Sequence, residues 1–127
     1  MPTEASVSTF RVVAGNPAVY IARILGLDGA YLQQADVSSI AYTVYDLDNA
    51  SAQVTTGTFT PSSTIYDTLQ TGQIWTQDEL GYNFKATLPA ACFPTGNRRY
   101  RLVFSFTTGS WGVIKEPSEW HTINPEG

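Results

Sequence analysis

The 127-residue chain has one cysteine, one histidine and few charges. Charged residues make up 14% of it, against about 25% in a typical soluble domain. It has no run of about 18 apolar residues, which a membrane-spanning helix needs. Met1 to Phe10 lacks the basic region, apolar core and cleavage pattern of a secretory signal. We therefore expect no membrane span and no secretory signal.

Acidic residues outnumber basic ones, giving a net charge of -4 and an isoelectric point near 4.7. Nucleic-acid-binding proteins of the common kinds carry a basic stripe that displaces counterions, so we expect no nucleic-acid partner. The hydrophobic share of 43% excludes intrinsic disorder. No linker or repeat divides the chain, which predicts a single domain over residues 1–127, with residues 1–14 as an extended arm or edge strand.

The lone cysteine and the lone histidine argue against catalysis and metal binding. Cys92 has no partner for an intramolecular disulfide, which favours folding in a reducing cytoplasm, and its apolar neighbours predict a buried, inert thiol. His121 is expected to face solvent beside Glu119 on the last strand. Without a second histidine or a nucleophile motif, acyl transfer has no support. The wide separation of Cys92 and His121 does not give zinc spacing.

Carboxylates offer two weaker alternatives. The run Asp46-Leu47-Asp48-Asn49 resembles a calcium loop but lacks its central glycine and distal glutamate, so we predict a hairpin turn with local hydrogen bonds. Asp67, Asp78 and Glu79 could supply paired carboxylates for glycoside hydrolysis, although any acidic loop offers such pairs. We predict that the chain is not an enzyme and uses no cofactor and no metal.

Apolar residues recur with period two in short runs bounded by turn residues, which predicts an all-β fold. Helical turns are predicted after Tyr66 and at Pro89–Phe93. The predicted strands are Val7–Val13, Val19–Leu27, Ile40–Leu47, Gln53–Thr60, Ile65–Tyr66, Tyr82–Leu88, Tyr100–Thr107, the short strand or hairpin arm Trp111–Lys115, and Glu119–Ile123.

This pattern predicts an immunoglobulin-like antiparallel β-sandwich of 7–8 strands, with a jelly roll as the alternative. A helical turn between the strands Tyr82–Leu88 and Tyr100–Thr107 favours the sandwich. Tyr100, at the start of its strand, is expected to form the corner contact seen in such domains.

The chain has more aromatic residues than a sandwich core of this size needs, Tyr31 and Tyr45 among them. These rings either cap the ends of the sandwich or are buried against another protein, where Trp, Tyr and Arg are enriched. Rings of Trp75 and Trp111 that stack on sugars are a third alternative. The predicted interface residues are Phe10, Tyr66, Trp75, Arg98, Arg99, Trp111 and Trp120.

Between about Ile40 and Phe106 the chain contains four distinctive motifs: Ile65-Tyr66-Asp67-Thr68-Leu69-Gln70-Thr71, Trp75, Gly81-Tyr82-Asn83-Phe84, and Phe93-Pro94-Thr95-Gly96 before Tyr100. In these motifs the sequence resembles the small immunoglobulin-like β-sandwich structural proteins of tailed bacteriophages. The resemblance implies a virion component assembled in the host cytoplasm: a capsid decoration (cement) protein, or a neck or tail accessory protein.

In the decoration interpretation, the chain forms a homo-oligomer, a dimer or trimer, and bridges subunits of the major capsid protein. The segment Thr3 to Phe10 would extend onto that partner, because an exposed strand edge is a template for pairing. The alternative is a receptor- or glycan-binding module in which Tyr66, Trp75 and Trp111 stack on sugar.

Overall fold

The computed structural model describes residues 8–71 and 81–124, with side chains from residue 10 onward, and that part of the chain forms eight strands. The strands are β1 (Ser8–Val13), β2 (Ala18–Ala22), β3 (Val37–Asp46), β4 (Ala52–Phe59), β5 (Ile65–Gln70), β6 (Tyr82–Leu88), β7 (Arg99–Thr108) and β8 (Gly112–Ile123). Short 3₁₀ turns occupy Gln34–Asp36 and Ala90–Cys92, and one α-helical turn occupies Pro61–Thr64. Within the described ranges, no helix is long and apolar enough to cross a membrane.

Two sheets pack face to face. One has five strands in the order β1-β8-β7-β3-β4, and the other has three in the order β2-β6-β5. All neighbours are antiparallel except β1 and β8, which are parallel. The predicted all-β sandwich is therefore confirmed. The division into five and three strands, with the β3–β4 and β7–β8 hairpins inside one sheet, fits the immunoglobulin-like prediction rather than the jelly roll.

The core lies between the sheets and is rich in aromatic rings. On β7, alternate residues face inward, and Phe104 is fully buried with its ring centroid 5.0 Å from those of Tyr20 and Phe84 on the opposite sheet. Cys92 is fully buried beside this core, as predicted, and burial raises the pKa of its thiol. A buried thiol held in its neutral form is a small hydrophobic side chain.

Tyr100 forms the predicted corner. Its hydroxyl accepts the Thr95 backbone N–H at 3.1 Å and donates to the Thr95 carbonyl at 3.3 Å. Its ring is fully buried against Phe93, in the segment that follows the Ala90–Cys92 turn. The connection from β6 to β7 is thereby fixed to the start of β7, as in other immunoglobulin-like sandwiches.

The last strand is longer than predicted. The two segments predicted at Trp111–Lys115 and Glu119–Ile123 form the single strand β8, in which Pro117 pairs with Val103 of β7. Described β1 residues pair with β8 only from Ser118 onward. Pro117 therefore has a described neighbour on one side only, the kind of position where a strand tolerates proline.

The segment before β6 also differs from the prediction. A helical turn was predicted after Tyr66, but it lies before Ile65, and β5 continues to Gln70. Pro61 occupies the first position of the turn, where proline is favoured. The Ser63 and Thr64 hydroxyls donate to the Thr60 carbonyl at 3.0 and 2.9 Å, which holds the turn at its start.

Strand β2 ends at Ala22, before the predicted end at Leu27. Beyond it, the carboxamide of Asn83 takes the hydrogen bonds that a neighbouring strand would make. It accepts the Ile24 N–H at 2.7 Å and donates to the Ile24 carbonyl at 2.9 Å. Side-chain amides can replace a backbone ladder in this way, so the chain is free to leave the sheet.

Of the predicted arm at residues 1–14, residues 8–13 form β1, an edge strand of the five-stranded sheet. Residues 1–7 lie outside the described part of the chain.

Candidate interaction surface

A tight hairpin loop follows β2 at one end of the sandwich. In this 24–32 loop, the Leu32 N–H donates to the Ile24 carbonyl at 3.0 Å, and the Gly26 N–H donates to the Ala30 carbonyl at 2.8 Å. A turn at Asp28-Gly29 closes it, with Gly29 at φ 84°, a conformation that glycine adopts without strain. The loop therefore has its own ladder of hydrogen bonds.

Asn83 of β6 fastens this loop to the body of the protein. Besides its two bonds to Ile24, its Nδ2 donates to the Leu32 carbonyl at 2.9 Å. Asn83 is 1% exposed. Alternation along β6 places it on the same side of the strand as Lys85, and it is buried there because the 24–32 loop covers this position. One buried carboxamide thus holds both ends of the loop.

The 24–32 loop exposes apolar side chains. Leu27 is 72% exposed, Leu25 46% and Tyr31 40%. The half-buried ring of Trp111, from the β7–β8 turn, lies against Gly26: a Cβ atom there would be 2.6 Å from the ring. We call Leu25, Leu27, Tyr31 and Trp111 the hairpin patch.

Polar residues border one side of the hairpin patch. Tyr31 and Trp111 line a surface depression of about 340 Å³ together with Asp28, Gln33 and Asp36. Asp36 accepts the Gln33 backbone N–H at 3.0 Å. An apolar centre beside a polar border is the arrangement found in protein–protein interfaces.

Asp67, a carboxylate considered for hydrolysis, has a structural contact. It accepts the Gln34 backbone N–H at 2.7 Å and so ties the turn after the loop to β5. Asp78 and Glu79, its proposed partners, lie outside the described residues. No group of three histidine, cysteine or acidic side chains in the described ranges is placed to hold a metal ion.

Two of the predicted interface aromatics belong to the core side of the sandwich. Trp120 is 3% exposed, stacks on Phe93 at 4.8 Å and donates from Nε1 to the Ser118 hydroxyl at 2.8 Å. The prediction that it is a surface anchor was wrong, because it alternates inward between Glu119 and His121. Phe10 is half-buried and also stacks on Trp120, with ring centroids 4.7 Å apart.

Arg98 and Arg99 lie at the opposite end of the β7–β8 hairpin from Trp111. The strand pair between them runs ten residues, or about 30 Å. Arg98 and Arg99, predicted as interface residues, are therefore distant from Trp111.

These arginines bind the β3–β4 turn. Arg98 pairs with Asp46 at 2.6 Å and Arg99 with Asp48 at 3.1 Å. Hydrogen bonds from the Arg99 backbone and side chain lower the pKa of Asp48. The Asp48 N–H donates to the Asp46 carboxylate at 3.0 Å, which confirms a hairpin turn with local hydrogen bonds.

The remaining predicted residues are dispersed. Tyr66 lies on β5 and contacts the ring of Tyr82 edge-on at 5.8 Å. Trp75 lies outside the described residues. His121 has a side chain 40% exposed and contacts Glu119 at 2.6 Å, as its predicted position beside that carboxylate implies. Of the predicted interface residues that the structure describes, Trp111 alone belongs to the hairpin patch, together with Tyr31 from the wider set of surplus aromatics.

Sequence reasoning missed Leu25, Leu27 and Asn83. It assigned both leucines to a strand, although they come just before the turn residues Asp28-Gly29, a position that also suits one arm of a hairpin. No protein-family model, curated protein or solved structure matches the chain.

Proposed function

We propose that this chain is a non-enzymatic structural protein of a tailed-phage virion, a capsid decoration protein that docks on the major capsid protein through the hairpin patch. The observation that carries the proposal is an exposed apolar surface held in a fixed shape by hydrogen bonds. The sequence resemblance to phage sandwich proteins supports the choice of partner.

The hairpin patch suits docking for two physical reasons. Leu27 leaves 72% of its surface exposed, and burying a leucine side chain contributes roughly 1.5–3 kcal/mol. The ladder within the 24–32 loop and the bonds from Asn83 restrict the loop before any partner arrives. A preorganised loop loses less conformational entropy on binding than a flexible one.

A homo-oligomer completes the proposal. β1 lies at an edge of the five-stranded sheet, where unpaired backbone groups favour strand addition. Pairing at this edge would join copies of the chain or extend the sheet onto a capsid subunit, while the hairpin patch at the end of the sandwich makes a separate contact.

Cosedimentation with purified expanded capsids that lack the protein tests the proposal. Leu27→Ser removes the most exposed apolar side chain of the hairpin patch, and Val19→Ser is the matched control. Val19 is 52% exposed and lies on β2 in the three-stranded sheet. We expect Leu27→Ser to weaken capsid binding about tenfold, and Val19→Ser to change it less than about twofold.

Two results would contradict this proposal. The wild-type protein could fail to sediment with capsids, or the two variants could bind equally well. In the first case neck and tail proteins become the partners to test. Circular dichroism of both variants establishes that the fold is intact.

A glycan-binding role is the second candidate. The depression beside the hairpin patch combines the rings of Tyr31 and Trp111 with the side chains of Asp28, Gln33 and Asp36. Aromatic faces that stack on sugar rings and polar groups that bind hydroxyls make up such sites. Binding on a glycan array that disappears in Trp111→Ala would favour this role over capsid docking; no binding across a broad array would exclude it.

A further inference from the structure

Three basic side chains form a row across neighbouring strands at the arginine end of the sandwich. Arg11 of β1 is in register with His121 of β8, and His121 is in register with Arg99 of β7. Register partners on adjacent strands project from the same face of a sheet. Arg11 and Arg99 therefore flank His121 on the outer face of the five-stranded sheet, two strand spacings or about 10 Å apart.

Positive charge is concentrated around this row, which is unusual for a chain with a net charge of -4. Three of its seven lysines and arginines, Arg11, Arg98 and Arg99, line one surface cleft. Arg11 and Arg99 lie two strands apart, and like charges at that distance repel each other unless negative charge lies between them. The clustering thus calls for negative charge in the cleft.

The acidic side chains nearby supply only part of that charge. Asp46 pairs with Arg98, and Asp48 occupies two side-chain nitrogens of Arg99, Nε and one Nη. An arginine has five N–H donors, so Arg99 keeps donors that no residue within 8–71 and 81–124 occupies. Glu119 pairs with His121 through Nε2.

Arg11 has no such partner. It is exposed, and its side chain makes no hydrogen bond or ion pair within residues 8–71 and 81–124. The cleft has a volume of about 480 Å³, with room for a small ligand above His121. Besides the basic residues, its lining includes Asn97, Thr122 and the carboxylate of Asp48, which is paired with Arg99.

We propose that this cleft binds a phosphate group between Arg11 and Arg99. The two guanidinium groups approach from opposite sides of β8, and the imidazole of His121 lies below. A planar carboxylate needs only one guanidinium group to bind it, as Asp48 is bound by Nε and one Nη of Arg99. A tetrahedral group with several acceptor oxygens can bind two guanidinium groups from separate strands at once.

The site is independent of docking through the hairpin patch. It lies at the other end of the β7–β8 hairpin from Trp111 and needs no residue of the hairpin patch. A decoration protein and a glycan-binding protein could both contain it, and its test requires no capsid.

Nuclear magnetic resonance titration with inorganic phosphate tests the site at fixed pH and ionic strength. His121 is the only histidine, so its ring C–H signals report on the cleft without overlap from other histidines. Glycerol 3-phosphate and acetate are titrated in parallel, to compare a phosphate monoester and a carboxylate with the free ion. The variants are Arg11→Gln and the control Lys115→Gln, an exposed cation on the same strand as His121 but outside the cleft.

We expect saturable shifts at His121, Asn97 and Thr122 with phosphate and weaker binding of acetate. Arg11→Gln should raise the phosphate dissociation constant about tenfold, because a charge-assisted contact is lost. Lys115→Gln should leave it within about twofold. If the monoester binds more tightly than the free ion, the natural ligand is a phosphorylated small molecule; the reverse order indicates inorganic phosphate.

Three results would overturn the proposal: no saturable shift with phosphate, equal binding of phosphate and acetate, or equal weakening by the two substitutions. Because Arg11 is exposed, Arg11→Gln should fold, and the unchanged remainder of its spectrum verifies this.

Discussion

The carboxamide of Asn83 accepts the N–H of Ile24 at 2.7 Å and donates to its carbonyl at 2.9 Å. A single side chain on β6 therefore replaces a stretch of backbone pairing and holds the 24–32 loop against the outer side of β6. The loop's outward side presents Leu25, Leu27 and Tyr31. Its position, and with it the hairpin patch, depends on one buried polar residue.

Replacing Asn83 should cost much of the stability of the domain. Asn83→Ala leaves the Ile24 N–H and the Ile24 and Leu32 carbonyls without these partners. We expect a loss of about 3–5 kcal/mol in the free energy of unfolding, measured by urea denaturation. Thr87→Ala, at an exposed position on the same strand, should lose less than about 1 kcal/mol. Equal losses for the two variants would show that the carboxamide does not hold the loop.

A side chain at Gly26 should displace Trp111. In Gly26→Ala, the added methyl group would lie 2.6 Å from the indole ring, so the ring must move. We expect the indole N–H resonance of Trp111 to shift and the stability to fall by about 1–3 kcal/mol. Gly109→Ala, in the β7–β8 turn, is the control, because its added methyl meets nothing within 4 Å. An unmoved Trp111 resonance in Gly26→Ala would contradict the contact.

The tryptophans Trp120 and Trp111 should respond differently to truncation. Trp120 is buried and stacked between Phe10 and Phe93, so Trp120→Ala should cost about 3–5 kcal/mol. Trp111 is half-buried at the end of the sandwich, and Trp111→Ala should cost less than half as much. Denaturation monitored by circular dichroism gives both values. A smaller loss for Trp120→Ala than for Trp111→Ala would reverse the assignment of core and surface.

Glu116 should make stability fall as pH rises. It alternates inward on β8, opposite Phe104, and burial raises the pKa of its carboxyl group. Because the pKa is higher in the folded state, the contribution of Glu116 to folding stability is fully present below its unfolded-state pKa of about 4.3. That contribution is lost as pH rises through the folded-state pKa. Glu116→Gln removes this loss, so its stability relative to wild type should be higher at pH 7 than at pH 4.

Asp48 should change the pH dependence of stability in the opposite direction to Glu116. Hydrogen bonds from Arg99 lower its pKa, so its contribution is present above its unfolded pKa and is lost as pH falls through the folded value. Asp48→Asn should therefore be less stable than wild type at pH 7 and approach it in strong acid. Urea denaturation at each pH measures both effects. A pH-independent difference for Glu116→Gln would contradict the burial of its carboxyl.

Half-buried strands were predictable because alternation records which face is buried. β3, β4, β6 and β7 lie within a few residues of their predicted bounds, and the corner at Tyr100 followed from its place after a helical turn. The alternation of Trp120 with Glu119 and His121 also indicated that Trp120 faces inward. Its aromatic character nevertheless favoured the interpretation as a surface residue.

The hairpin patch could not be predicted in the same way. Residues 19–27 are apolar on nearly both faces, so periodicity gives no sign that the strand stops at Ala22. The cause is Asn83, 59 residues away in sequence from Ile24. Its burial comes from a loop that covers the outer side of β6, and alternation within one strand contains no information about such a cover.

Hydroxyl-radical footprinting of the protein, free and bound to expanded capsids, tests the central claim most directly. Docking through the hairpin patch predicts that oxidation of Leu27, Tyr31 and Trp111 falls sharply on the capsid, while that of Val19 on β2 is unchanged. Protection of Val19 with continued oxidation of Leu27 and Tyr31 would contradict the claim that the hairpin patch is the docking surface.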